Sequence, residues 1–138
     1  MVLFKCGVSL LLFSLCMFSQ FALAETASDS NWLQQQQRIE ALLQAIEQAD
    51  LTFVRNGSEH NPQQAGEHLR MKLKRAQNSW FAPDKESWTA EMFIDKLASK
   101  SSLSGKPYQI RFANGEQVDS SIWLYQQLAR YDQQQGAQ

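Results

Sequence analysis

Two Asn-Gly pairs, each followed by a helix-capping residue, constrain this chain more than any other feature. Asn56-Gly57 precedes Asn61 and Asn114-Gly115 precedes Asp119, turn and cap each offset by 58 residues. Asn-Gly beside β-branched or alternating apolar residues is a turn signal, because both residues accept positive φ. Asn or Asp a few positions on satisfies the open donors of a helix start. The chain therefore passes from strand through turn to helix twice, which requires a mixed α and β fold. The apolar phases of the two following helices do not match, so this is a shared local device and not a repeat.

The remaining elements follow from periodicity. Ile39, Leu42, Leu43 and Ile46 recur at helical spacing, predicting a helix from about Trp32 to Gln48. "LTFVRNG" reads as a short strand ending in the first turn. Asn61-Pro62-Gln63-Gln64 then supplies an N-cap, a proline at the first helical position and a capping-box glutamine, starting a helix that runs to about Ala76. Its narrow apolar stripe is Ala65, Leu69, Leu73 and Ala76, and Gly66 costs it about 1 kcal/mol relative to alanine. Gln77 to Trp88 reads as a loop, and a third helix from near Thr89 turns Phe93, Ile94 and Leu97 inward. Tyr108, Ile110 and Phe112 alternate with Gln109 and Arg111 as a half-buried strand. A three-residue loop with Gly115 left-handed sets Val118 opposite Ile110 on the apolar face, and is preferred to a two-residue loop that sets it opposite Arg111. Asp119 or Ser120 caps a fourth helix with Leu124, Leu128 and Tyr131 on one face and Ile122 and Trp123 at its edge. The expected fold is a single mainly helical α+β domain, about four helices with a small antiparallel hairpin, and the first strand is a candidate to extend that hairpin.

The N-terminal residues carry one cation, Lys5, an apolar run from Val8 to Phe18 and the small-x-small ending Ala22-Leu23-Ala24. This is the pattern of a secretory signal peptide cleaved after Ala24, and the run is shorter than the ~20 apolar residues of a membrane span. Residues 25–138 then form one small domain with frayed polar ends at 25–31 and 132–138. Cleavage removes Cys6 and Cys16, the chain's 2 cysteines, so the mature form is disulfide-free although it reaches an oxidising periplasmic or extracellular space. Losing Lys5 leaves 12 Lys and Arg against 14 Asp and Glu, a balance that argues against a nucleic-acid partner.

At "FVRNGSEH", "AGEHLRMKL", "FIDKLASKSSLSGKPY" and "WLYQQL", in that order, the chain resembles the small exported bacterial proteins of the YfeK-like family, a domain of unknown function. The resemblance covers most of residues 36–131. It departs from the family pattern in a longer, tryptophan-bearing connector at 77–88 and in having no cysteine near the first turn. It implies export and a single small domain, and it brings no activity.

Catalytic and metal chemistry find little support. His60 lies before the cap and His68 about two turns into the helix, roughly 10 Å along the axis, whereas a helical ligand pair needs i and i+4. No metal and no cofactor are therefore expected. The serines Ser99, Ser101, Ser102 and Ser104 form neither GxSxG nor SxxK. Glu59, Glu67 and Glu91 sit in polar contexts, which leaves a carboxylate hydrolase of the cell envelope as the runner-up reading. Arg70, Lys72, Lys74 and Arg75 wrap more than half of their helix and read as a solvated face.

What remains is a binding reading with no catalytic residue. A turn needs no arginine at position 55. If Arg55 stands beside the Ser99 to Lys106 loop, its fork suits a carboxylate or phosphate. The candidate binding residues are Arg55, Asn56, Ser104 and Lys106, with Trp80 and Trp88, whose loop also contains Phe81, as either a core cap or a binding surface. The expected partner is an envelope protein or an anionic envelope ligand.

Overall fold

The computed structural model describes residues 19–137, with side chains from residue 29. The apolar run Val8–Phe18 lies outside them. Contacts group the chain into two units, Met1–Asn31 and Trp32–Gln138, and the domain described below is the second.

Helix α1 (Ser19–Glu47) begins well before Trp32. Residues 25–31, expected to fray, contain neither glycine nor proline, so nothing in them stops a helix that has already started. Likewise α4 (Ser120–Gly136) runs through its glutamines to the glycine that ends it. Strands β1 (Thr52–Arg55) and β2 (Ser58–His60) form the first hairpin, and β3 (Gln109–Arg111) and β4 (Gln117–Asp119) the second. β1 pairs with β3, joining both hairpins in one antiparallel sheet of order β2-β1-β3-β4. The sequence reading extended the strand signal only to the Asn-Gly turn. In the structure "SEH" returns as β2, with Phe53 opposite His60 and both turn residues at positive φ, 51° at Asn56 and 83° at Gly57. The second turn adopts the preferred register: Val118 faces Ile110, and Gly115 has φ 86°.

Helix α2 (Pro62–Gln77) carries the full capping box, with Asn61 Oδ1 accepting from Gln64 N at 2.9 Å and Gln64 Oε1 accepting from Asn61 N at 3.1 Å. Thr89 Oγ1 accepts from Met92 N at 3.1 Å and starts α3 (Ala90–Phe93), which widens into a π-helical turn over Ile94–Ala98. A short 3-10 turn, Lys85–Ser87, lies in the connector.

The core forms where these helices meet one face of the sheet. Ile39, Leu42, Leu43 and Ile46 of α1 pack with Phe93, Ile94, Ile110 and Leu124. Phe53 meets Trp123 edge-on at 6.2 Å between ring centroids. Two arginines clamp the helices. Arg38 of α1, only 13% exposed, holds Glu91 at 2.7 Å and Asp132 at 2.8 Å. Arg70 of α2 holds Glu40 and Glu47 of α1, each at 2.7 Å. Arg70 is thereby committed to ion pairs and is not a free charge of the basic run.

Candidate functional site

Side chains alternate along β1, so Val54 lies on the open face of the sheet and Phe53 and Arg55 on the packed one. Arg55 thus projects from the face that otherwise carries Phe53 and Ile110. It lines a cavity of about 130 Å³ between this end of the sheet and α2. Ile46, Phe53, Leu69 and Leu124 give the cavity an apolar body. His60, His68 and Tyr108 line it with Arg55, and none of its lining side chains is acidic.

The charges here are unequal in their partners. Lys72 is fully engaged: its Nζ donates to Leu97 O at 2.6 Å, Lys100 O at 2.8 Å and Tyr108 Oη at 3.3 Å. Those backbone carbonyls lie at the end of the π-helical turn, where a cation is favoured by the helix dipole. Burial, with Arg55 adding to it, pushes Lys72 down to about 8, and the three acceptors suit its ammonium form at neutral pH. The Arg55 side chain has no hydrogen-bond or ion-pair partner among the described residues. Its charge acts instead on its neighbours. Burial lowers the pKa of His68, and Arg55, Lys72, His60 and Arg75 lower it further. Burial raises the pKa of Tyr108 while Arg55 opposes it. His68 Nε2 lies 3.5 Å from Tyr108 Oη, and His60 Nε2 is buried with no protein partner.

The two histidines therefore meet at one cavity, against the sequence argument that kept them apart. That argument measured their separation along a helix, but His60 belongs to β2, and the hairpin folds it back beside α2. The Asn-Gly pair was the signal for this return strand. Among the described residues no group of three or more His, Cys, Asp and Glu stands ready for a metal ion.

The other sequence candidates divide. Asn56 and Ser104 come together, with Ser104 Oγ donating to Asn56 Oδ1 at 2.6 Å and Asn56 Nδ2 donating to the buried Ser101 Oγ at 3.4 Å. These bonds fasten the turn to the Ser99 to Lys106 loop. Lys106 shares a groove with Asn56 and Val54 on the open face, away from the face that carries Arg55. The two cations do not form one site, because Val54, which shares the groove of Lys106, and Arg55 alternate along β1 and face opposite ways. Trp88 is 2% exposed and belongs to the core, which removes it from any binding surface. It stands just before the Thr89 cap, where an apolar side chain folds back onto the first helical turn. Trp80 and Phe81 are 93% and 91% exposed. Of the carboxylates weighed for hydrolysis, Glu91 is held by Arg38 and Glu59 by Arg111, while Glu67 is exposed.

No helix among the described residues is long and apolar enough to cross a membrane. The fold and the site define a mainly helical α+β domain with an Arg55-lined cavity on the packed side of its sheet. The chain belongs to the family of unknown function DUF5329, whose pattern matches residues 33–132. It is 53% identical over 72 residues to the uncharacterised protein YfeK of Salmonella typhimurium strain LT2. That match covers 51% of this chain and 54% of the relative, so the chain spans about half the length of the curated relative it matches. No solved structure matches it.

Proposed function

We propose that this is an exported, periplasmic binding protein without catalysis of its own, and that the cavity at Arg55 is its binding site for a small anionic ligand. The apolar run Val8–Phe18 and the Ala22-Leu23-Ala24 ending support export. One observation carries the binding reading: a guanidinium without a counter-ion lines a cavity whose walls are otherwise largely apolar and contain no acid. Arg55 is half-buried, and an anion bound here supplies the counter-ion that no side chain lining the cavity provides.

The first test is the intact mass of protein recovered from the periplasm, which is expected to begin at Glu25. A retained apolar segment, or recovery only from the cytoplasm, removes the export half. The second is a thermal-shift screen of small anions against the protein, in which a specific binder raises the melting temperature by mass action. Equal shifts in an Arg55→Gln variant remove the site.

A further inference from the structure

We infer that the ligand of this cavity is a free monocarboxylate with a compact apolar body no larger than a phenyl ring, its carboxylate held by Arg55. The inference rests on the binding reading above and adds the ligand class.

Size sets the first limit. A cavity of about 130 Å³ is comparable to the ~150 Å³ apolar cavity that accepts benzene. A long acyl chain exceeds that space, so a compact apolar body is the one held wholly within it. Wall chemistry sets the second. Ile46, Phe53, Leu69 and Leu124 surround the body of the cavity and offer no hydrogen bonds to an inorganic anion. A phosphate placed against them loses hydration on several charged oxygens, and the polar groups that replace it stand only at the Arg55, His60 and Tyr108 side. A carboxylate concentrates its charge at one end, matches the guanidinium fork and leaves the apolar remainder for these walls.

The neighbours of Arg55 fit the same polarity. Lys72 is already committed to two carbonyls and Tyr108, so the uncommitted charge at the cavity is that of Arg55. His60 Nε2, buried and unpartnered, and Tyr108 Oη add further hydrogen-bonding groups on the polar side. A cationic ligand meets Arg55 without an acid among the lining residues to offset it. A neutral ligand fills the body but leaves Arg55 as it is.

The test is titration of the protein with benzoate, benzyl alcohol, benzylamine, decanoate and inorganic phosphate, followed by calorimetry and by amide and histidine ring NMR signals. Saturable benzoate binding that shifts His60 and His68, with benzyl alcohol at least about tenfold weaker and benzylamine, decanoate and phosphate inactive, is the expected result. Arg55→Gln should weaken benzoate about tenfold and leave benzyl alcohol unchanged, with Arg55→Lys between them. Ala65→Leu, which fills the cavity from α2, should abolish both. Benzyl alcohol binding as tightly as benzoate overturns the carboxylate anchor, and decanoate binding more tightly overturns the size limit. Phosphate binding without benzoate overturns the ligand class but leaves an anion site standing. If no anion binds the wild-type protein, the binding reading falls with the inference. The wild-type series decides all of these even if a variant fails to fold.

Discussion

The side chain of Glu47 occupies the space that any side chain on Gly66 needs: a Cβ there would lie 2.3 Å from Glu47 Cγ. The gap lets α1 and α2 approach closely enough for Glu47 to reach Arg70. Gly66→Ala should therefore destabilise the protein by about 1 to 2 kcal/mol, although alanine is the better helix former by about 1 kcal/mol. Urea unfolding measures this. Combined with Glu47→Ala, the same substitution should cost much less, and equal costs in both backgrounds would show that the close approach is unimportant.

The arginine clamps predict the acid limb of stability. The Arg70 hydrogen bond holds Glu40 below the usual carboxylate range, outweighing burial. At Glu91 burial pushes upward, but bonding to Arg38 leaves the net shift downward. A carboxylate with a lowered folded pKa adds stability above its unfolded value of about 4.5, lost as pH falls through the folded value. Denaturation midpoints should fall below that pH, with a shallower acid slope in Arg70→Met. Arg38→Met should cost about 1 to 3 kcal/mol at neutral pH, since Arg38 joins α1 to α3 and α4.

The two connector tryptophans should respond oppositely to removal. Trp88→Ala is expected to cost about 3 to 5 kcal/mol, while Trp80→Ala stays within about 0.5 kcal/mol. Chemical denaturation followed by circular dichroism compares them without relying on tryptophan emission. A large loss from Trp80→Ala would show that the exposed ring has a partner.

These tryptophans show what was legible beforehand. Helix starts at Asn61 and Thr89, the buried positions of α1 and the register of the second hairpin were all readable, because each follows from local chemistry or from a simple period. Trp88 was readable in principle from its place before a cap, but "SWFAPDKESW" looked like one aromatic cluster, and only the cap separates its members. The cavity was not readable. It needs Arg55 of β1 and Tyr108, just before β3, on one side of the sheet, and His68 brought against that side by α2, which are facts of tertiary packing. Arg55 stood out only as a residue a turn does not require.

His68 provides a direct check on the electrostatics of the cavity. Burial foremost, then Arg55, Lys72, His60 and Arg75, hold its pKa below the usual 6.5. Histidine NMR should place its midpoint below that value, and Arg55→Gln should raise it. As pH falls from 6.5, the unfolded chain takes up this proton before the folded one does. Stability should therefore decline through the window between the two pKa values. A midpoint above 6.5 would require an acidic partner not found beside His68.

The strand order β2-β1-β3-β4 also dictates how the molecule is assembled in time. Each hairpin is closed by a turn of two or three residues and forms quickly, but the β1–β3 seam joins residues more than fifty positions apart. Closing that loop carries an entropic cost that local contacts do not repay, which makes the seam the slow step of folding. During synthesis the first hairpin emerges with α1 and α2 well before β3 exists. Until β3 arrives, the β1 edge is unpaired and the apolar side of α1 lacks Ile110 and Leu124. The interval between the two hairpins is thus when this chain is most open to wrong partners.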